Sequence, residues 1–391
     1  MKKRLLAALL CLAMLVTMVA CGDNGGVENE EVKYEGPAAT LEQLADYSNL
    51  EEVFKGDYEV TEDKLNEALA SILANAGVEV NWTKVTDRDV VEENDIVYVD
   101  YTGYLDDKAF EGGTATGQLI SVKDNANVDK TTGQTSGGFI DGFTAGLVGA
   151  KVGESISYEV TFPKDYQNAD LKGKTVVFKF NINSIQKYEK HTLATLEDEF
   201  VKEKLNKNYG FNTVEDVREH VTKGVTYNNL LKYLIEKSTM NIPEEYLVYR
   251  ATAYVDYYLS YYNAMYEMYY GMTYEKYMED TYGYTKEDMI KDSKEGIKSR
   301  VQEELVYNAL AAQNNLTYDE QPIINSLKEE LGEDYTEEKL AETKVEYYKD
   351  YGLGVESVGK DYVLNGRAAN EFLNKYLGYE VEEETTETTE K

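Results

Sequence analysis

Cysteine, histidine, proline and tryptophan are scarce in this chain of 391 residues, which contains two, two, four and one of them. Two cysteines cannot form the framework of a disulfide-stapled fold, and together with two histidines they leave little material for a zinc-type site. Two histidines also leave few candidates for acid–base catalysis by an imidazole near neutral pH. The sequence therefore predicts no metal ion, no cofactor, and a function that needs neither.

Positive charge is also in short supply, because 40 Lys and Arg residues face 73 Asp and Glu residues and leave a net charge of −33. Such a surface repels phosphate, which excludes nucleic acid as a partner. Hydrophobic residues, at 42%, suffice for the cores of about two to three domains. The most unusual abundance is that of tyrosine, with 35 residues.

The amino terminus carries a basic cluster at residues 2–4 followed by an apolar run over residues 5–20, the pattern of a secretory signal peptide. The run ends in MVACG at residues 18–22, which resembles a bacterial lipobox, where the cysteine receives the lipid. We therefore predict a signal peptide over residues 1–20, lipidation at Cys21, and an extracytoplasmic protein anchored to the bacterial cell membrane. A plain signal peptide or one uncleaved anchor helix is the alternative.

The hydrophobic pattern of the mature chain changes twice, from helical to strand-like and back to helical. Residues 21–58 are predicted to form a tether and an N-terminal segment. Residues 59–90 are predicted to form a helix and a linker that pack with the C-terminal domain, because Thr61 is a suitable N-cap and Gly77 a suitable helix end. Runs of period two, at 96–101, 156–162 and 176–182, then lie between glycine-rich turns and predict a β domain over residues 91–188.

Helical patterns return in residues 189–378. Thr195-x-x-Asp198 and Thr213-x-x-Asp216 are typical of helix starts, and residues 286–310 carry apolar side chains at helical spacing. The Glu/Thr-rich residues 379–391 are predicted to be disordered. The predicted class is α+β, with an antiparallel sheet domain that includes a short helix and is flanked by an all-α domain.

Two familiar motifs fail on inspection. Gly173-Lys174-Thr175 imitates the end of a phosphate-binding loop, but a β-branched strand follows where a helix is required. Residues 125–129 alternate Asn, Asn and Asp as a calcium loop does, but Lys130 stands at the required glycine. We interpret this stretch as a solvated surface loop, and His191 and His220 as linker and surface residues.

A series of motifs follows in order: DIVYVDYTGYL from Asp95, AFEGG from Ala109, FIDGF from Phe139, FPKDY from Phe162 and LKGK from Leu171. Together they resemble an FKBP-type peptidyl-prolyl cis-trans isomerase domain, and within that superfamily the domain of bacterial trigger factor. Weaker similarity continues on both sides, over roughly residues 60–320. The resemblance implies an FKBP-like antiparallel sheet and a trigger factor C-terminal-like helical chaperone domain.

The activity that this resemblance implies is rotation about X–Pro peptide bonds, which has a barrier of ~18–20 kcal/mol and needs no proton transfer. An aromatic cup would hold the proline, with Phe143 as its floor, Glu111 at its edge and the Tyr166 hydroxyl on the substrate backbone. An ordinary core aromatic is the alternative for each ring. The resemblance places the following residues at the site: Tyr101, Phe110, Glu111, Phe139, Ile140, Phe143, Tyr166 and Phe178.

Two departures from the family are visible in the sequence. Residues 121–136 make the connection before the FIDGF motif about a dozen residues longer than the family's usual one, at the expected rim of the cup. A lipoprotein signal stands where a ribosome-docking domain is expected, so we predict no contact with the ribosome.

Fourteen tyrosines between residues 246 and 284 predict either packing between helices or a surface that captures unfolded clients, because exposed Tyr gives adaptable contact area. The client-binding candidates are Tyr257, Tyr258, Tyr261, Tyr262, Tyr266, Tyr269 and Tyr270.

The leading hypothesis is a membrane-anchored foldase that isomerises X–Pro bonds in unfolded secreted polypeptides and also acts as a chaperone. A holdase whose isomerase domain has lost activity is the first alternative. The solute-binding lipoprotein of a transporter is the second, although the repeated βαβ pattern of such proteins is missing from the sequence.

Overall fold

The computed structural model describes residues 34–379. Two compact units divide the chain, one of residues 60–226 and one that joins the residues up to 59 with those from 227 onward. The predicted signal peptide, Cys21, most of the tether and the acidic tail from residue 380 lie outside the described residues. Among residues 34–379, no helix is long and apolar enough to cross a membrane.

Strands and helices are numbered here along the described part of the chain. The strands are β1 (Thr40–Gln43), β2 (Val80–Lys84), β3 (Ile96–Leu105), β4 (Lys108–Ser121), β5 (Ala126–Val128), β6 (Thr135–Gly138), β7 (Ser155–Thr161), β8 (Thr175–Lys190) and β9 (Thr239–Asn241). The helices are α1 (Leu50–Val53), α2 (Glu62–Ala76), α3 (Asp198–Lys204), α4 (Asn206–Tyr209), α5 (Val214–Lys237), α6 (Glu244–Tyr270), α7 (Tyr274–Tyr282), α8 (Lys286–Asn314), α9 (Gln321–Leu331), α10 (Glu337–Tyr351) and α11 (Glu356–Tyr376).

The unit of residues 60–226 is built on a seven-stranded antiparallel sheet in the order β2-β8-β3-β4-β5-β6, with β7 also paired to β8. Alternate residues of β8, among them Phe178, Phe180 and Ile182, are buried on one face of the sheet. The chain enters through β2 and leaves through β8, where Val80 lies opposite Lys190. The predicted α+β class is confirmed.

A second core in this unit joins α2 to the residues that follow the sheet. Leu69 and Leu73 of α2 pack with Leu193, Leu205 and Val217. Residues 189–226 therefore share a core with α2 and belong to the same compact unit, which ends at residue 226. The predicted domain boundaries after residues 90 and 188 stay predictions.

Side-chain caps mark several helix starts. Thr61 accepts the Lys64 backbone N–H at 3.4 Å, and α2 ends at Gly77 with φ of 70°. The predicted start at Thr213 is confirmed, because its hydroxyl accepts the Asp216 N–H at 3.1 Å. The predicted start at Thr195 is wrong: Thr195 accepts the Thr192 N–H instead, and α3 begins only at Asp198.

The other unit is mainly helical. Its N-terminal segment is held by the antiparallel pair β1–β9, in which Thr40 lies opposite Asn241. Helix α8 begins with a capping box formed by Thr285 and Asp288. Helices α6 and α8 are joined by the buried pair of Arg250 and Glu304, at 2.8 Å.

Candidate active site

Aromatic rings from three strands and one turn meet on the sheet of residues 60–226. Phe139 and Phe143, in the turn after β6, stack with ring centroids 4.2 Å apart and planes 18° apart. Tyr101 of β3 meets Phe143 edge-on at 5.1 Å, and Phe178 of β8 does so at 4.8 Å. Edge-to-face and offset rings at these distances attract one another, so the sequence has assembled an ordered aromatic cluster.

Burial increases from the rim of this cluster to its floor. Phe143 and Phe178 are only 2% and 4% exposed, which places Phe143 at the floor. Half-buried side chains form the rim, namely Tyr101, Phe110, Phe139, Ile140 and Tyr166, all packed against the same core. Glu111 is exposed on β4 next to Phe110. The structure thus brings seven of the eight predicted residues together and leaves Glu111 on the adjoining surface.

Phe110 reaches the cluster because two glycines make room for its ring. A Cβ at Gly103 or at Gly113 would lie 2.5 Å from Phe110 ring atoms, far inside van der Waals contact. The ring then meets Phe178 at 5.8 Å. The glycines of the YTGY and FEGG motifs are therefore required by the shape of this side of the cup.

The rim carries two phenols as well as apolar rings. Burial raises the pKa of Tyr101 above its ordinary value, so its hydroxyl remains a neutral hydrogen-bonding group at physiological pH. The Tyr166 ring lies 4.6 Å from that of Phe162. An apolar cup edged by hydroxyls can hold a proline ring and orient the peptide around it without moving a proton.

Sequence reasoning missed several supporting residues. Phe180 lies under Phe143 at 5.1 Å, and Tyr158 stacks on Phe180 and donates its hydroxyl to the Phe143 carbonyl at 2.5 Å. The period of two in β8, which places Phe180 on the face of Phe178, would have found the first. Asn125 was missed for another reason, because its partners lie 14 to 19 residues farther along the chain.

Residues 125–129, interpreted above as a solvated loop, belong instead to a β-hairpin. Ala126 and Val128 are buried, and β5 pairs with both β4 and β6. We call residues 121–138 the inserted hairpin. It runs directly into Phe139, so the extra length of this connection extends the sheet beside the rim of the cup.

The helical unit separates the seven client-binding candidates into two groups. Tyr258, Tyr262 and Tyr266 are half-buried in a cluster with Tyr274, and Tyr257 bonds to Asp350. Packing between helices explains these four. The remaining three are exposed together with Met268, at 46% for Tyr261, 72% for Tyr269, 67% for Tyr270 and 76% for Met268.

His191 is also more buried than a linker residue would be. It is 9% exposed and packs on Phe200 with ring centroids 4.4 Å apart. His220 is exposed on α5, as the sequence predicts. Neither histidine is among the residues of the cup.

Two protein families match consecutive parts of the chain. Residues 88–183 match the FKBP-type peptidyl-prolyl cis-trans isomerases, and residues 192–358 match the C-terminus of the bacterial trigger factor protein. The predicted resemblance to both is confirmed. The lipoprotein part of that prediction rests on residues outside the described ones and stays a prediction.

Curated relatives give the same result. A trigger factor of Caldanaerobacter subterraneus subsp. tengcongensis is 28% identical over 322 residues, which cover 81% of this chain and 63% of that protein. The trigger factor of Halothermothrix orenii is 32% identical over 47% of this chain and 37% of its own length. That of Macrococcus caseolyticus is 32% identical over 52% of this chain and 44% of its own length. A solved trigger factor chaperone is 17% identical, with a TM-score of 0.25 over 80% of this chain and 70% of its own. The chain therefore spans less than two thirds of the length of these curated relatives.

Proposed function

Because residues 88–183 are an FKBP-type peptidyl-prolyl cis-trans isomerase domain, followed by a trigger factor C-terminal region, we propose that this protein is a foldase. It isomerises X–Pro bonds in unfolded polypeptides and holds those polypeptides through its helical unit. It acts outside the cytoplasm, tethered to the cell membrane through a lipid on Cys21.

The aromatic cup is the observation that carries the isomerase proposal. A planar X–Pro amide owes its barrier to resonance, which separates charge between nitrogen and oxygen. Apolar walls such as Phe139, Phe143 and Phe178 solvate that charge poorly. The twisted amide lacks resonance, so it loses less solvation free energy on entering the cup than the planar amide does, and the barrier falls. In this proposal the Tyr166 hydroxyl at the rim holds the substrate backbone during the rotation.

The direct test is the refolding of a protein whose slow phase is limited by proline isomerisation, with the mature chain added in catalytic amounts. We expect acceleration, and in peptide assays a preference for an apolar residue before the proline. Tyr166→Phe should lower kcat/KM by about 3- to 10-fold, the effect of one lost hydrogen bond of ~1 kcal/mol, without changing Tm.

Tyr188→Phe is the matched control, since Tyr188 packs on Trp82 at the far end of β8 from Phe178. It should keep full activity. A folded wild-type protein that accelerates nothing would contradict the enzyme proposal and leave the holdase alternative.

The exposed tyrosines support the chaperone part of the proposal. Met268, Tyr269 and Tyr270 end helix α6 with their side chains largely in solvent. Methionine and tyrosine together give a surface that adapts to many sequences. We propose that this patch, with Tyr261, contacts unfolded clients.

Light scattering of a denatured, proline-poor protein tests that patch. Replacing Tyr261, Tyr269 and Tyr270 by Ser should weaken suppression of aggregation, whereas Tyr351→Ser, at an exposed tyrosine of α10, should not. Equal suppression by the folded triple variant and the wild type would show that the patch does not bind clients.

The membrane tether is supported by the sequence of residues 1–22. Cys21→Ala should move the protein from the membrane fraction to the soluble fraction, because stable anchoring needs the lipid. A variant that stays with membranes after a high-salt wash would favour an uncleaved anchor helix instead. The absence of ribosome contact stays a prediction, to be tested by co-sedimentation.

The described strands argue against the solute-binding alternative. In residues 34–379 every strand pair is antiparallel, whereas a two-lobed solute-binding protein is built from βαβ units with parallel strands.

A further inference from the structure

We infer that Asn125, in the inserted hairpin, is a positioning residue of the isomerase: its side-chain amide holds the turn that carries Phe139, Ile140 and Phe143. The inference rests on the proposed isomerase function and adds to it a residue that the FKBP-type motifs do not contain.

The contacts of Asn125 are complementary to this turn. Its Nδ2 donates to the carbonyl oxygens of Phe139 and Ile140, both at 3.1 Å. Its Oδ1 accepts the Thr144 backbone N–H at 3.2 Å. Because the carbonyls need a donor and the N–H needs an acceptor, only one orientation of the amide satisfies the turn.

The backbone of the hairpin reinforces these bonds. The Asn125 carbonyl accepts the Phe139 N–H at 2.8 Å, and the Thr144 hydroxyl donates to the Val122 carbonyl at 3.0 Å. The turn is therefore fastened to the hairpin on both sides of Phe143. Asn125 itself has φ of 49°, a conformation that Asn, Asp and Gly adopt more readily than other residues.

The hairpin is anchored at its other end as well, so it can serve as a fixed base. The Trp82 indole N–H donates to the Lys130 carbonyl at 2.8 Å, and the Lys130 ammonium lies over the Tyr98 ring at 5.5 Å. Ala126 and Val128 are buried between these two ends.

The cup depends on this fastening because its rim is only half-buried. Phe143 is held by its burial, at 2% exposure, but Phe139 and Ile140 have solvent on one side. The stack of Phe139 on Phe143 therefore needs the turn's backbone to be held in place. A binding site held loosely by about 1 Å can lose up to ~100-fold in rate.

Asn125→Asp and Asn125→Gly test the inference in the mature chain, since both residues tolerate the positive φ. Asp keeps the acceptor but removes the donor, and Gly removes both. We expect kcat/KM for a Phe-Pro peptide to fall by about 10-fold or more in each variant, mainly through KM, because a displaced rim weakens substrate binding. Asp106→Gly, at an exposed residue with φ of 50° in the β3–β4 turn, is the matched control and should keep full activity.

Two readouts separate positioning from a general effect on folding. The emission of Trp82, the single tryptophan, reports the far end of the hairpin and should not shift in either variant. Acid should partly rescue Asn125→Asp, relative to wild type at the same pH, because a protonated carboxyl regains a donor for the turn. Asn125→Gly should show no such rescue. The neighbouring charged groups, Lys123, Asp124, Asp129 and Asp141, are exposed and common to all the proteins compared.

The outcomes are distinguishable. An inactive wild type overturns the proposed function and this inference with it. If the wild type is active and the kcat/KM of both variants stays within twofold of it, the inference alone is overturned. A shift of Trp82 emission in both variants would also overturn it, because it would show that the amide stabilises the fold of the hairpin itself. If the Trp82 emission shifts only in Asn125→Asp, the kcat/KM of Asn125→Gly, which introduces no charge, decides whether the inference stands.

Discussion

The phenol of Tyr158 shows how one side chain supports the cup from below. Its hydroxyl bonds to the Phe143 carbonyl at 2.5 Å and its ring stacks on Phe180 at 5.3 Å. Tyr158→Phe should therefore lower the free energy of unfolding by about 1 kcal/mol, or Tm by roughly 2–4 °C, because a half-buried carbonyl loses its partner. Calorimetry measures the shift, with Tyr188→Phe as the control. An unchanged Tm would contradict a structural role for this bond.

The Phe143 ring has a structural role as well as a proposed catalytic one, which decides how it can be tested. In the proposed mechanism it contacts the proline as the floor of the cup, and at 2% exposure it is also part of the core. Phe143→Ala would cost about 3–5 kcal/mol and endanger the fold, so its effect on the rate could not be separated from unfolding. Phe143→Leu keeps most of the volume and is the informative variant.

His191 gives the protein a pH-dependent stability. Burial lowers its pKa below the ordinary value of about 6.5, so the unfolded chain binds a proton that the native chain does not. The contribution of His191 to the free energy of unfolding is fully present above pH ~6.5. It is lost as the pH falls through that value toward the lower pKa of the native state. Urea unfolding at pH 7.5, 6.5 and 5.5 should show this decline, and His191→Leu should reduce its slope. An equal slope in His191→Leu and in the wild type would contradict the assignment.

At the scale of elements, helices α6 and α8 are joined by a buried ion pair. Arg250 bonds to both oxygens of Glu304, at 2.8 and 2.9 Å, and the two residues are 0% and 5% exposed. Arg250→Met should cost about 3–5 kcal/mol, because it removes both hydrogen bonds that Arg250 donates to the buried Glu304 carboxylate. Arg300, 3.7 Å from Glu304, is too distant to replace both bonds.

Denaturant unfolding checks this prediction. Adding Glu304→Leu to Arg250→Met should restore much of the lost stability, since an apolar pair needs no partner. Lys276→Met, in an exposed pair with Asp280, should change the stability by less than ~0.5 kcal/mol. If Arg250→Met were equally mild, the pair would not join the helices.

Elements with local signals could be predicted, and those fixed by distant partners could not. Helix α2 follows from Thr61 and Gly77, which act within one turn of it. The end of β8 could not be predicted, because residues 187–190 are strand only through pairing with β2, about a hundred residues earlier. Asn125 is the same case at the site. The cup residues were found through the order of their motifs, but the division of the tyrosines into packed and exposed ones depends on which helices meet, and no periodicity shows that.

At the scale of the whole molecule, the way the chain passes through the sheet allows the isomerase domain to be removed cleanly. Val80 and Lys190 are opposite one another, which places their Cα atoms ~4.5–5.5 Å apart. The core of α2 with residues 193–225 uses nothing between them. Replacing residues 81–189 by a short Gly-Ser linker should therefore leave a folded protein.

This deletion separates the two proposed activities. Isomerisation should be lost with the cup, whereas suppression of aggregation should remain, because the exposed patch around Tyr269 lies in the other unit. Light scattering and peptide assays on the same preparation measure both. Loss of all suppression in the folded deletion variant would show that clients are held by the isomerase domain.

The pairing of β2 with β8 also determines how the domain responds to mechanical force. Tension on the chain, applied at residues 79 and 191, would load the Val80–Lys190 end of the ladder first. Antiparallel bonds lie perpendicular to their strands, so the ladder would unzip one bond at a time and not resist as a sheared block. A pull on the chain would thus first separate β2 from β8, while the cup, whose rings come from β3, β4, the turn after β6 and the far half of β8, would keep its shape longest.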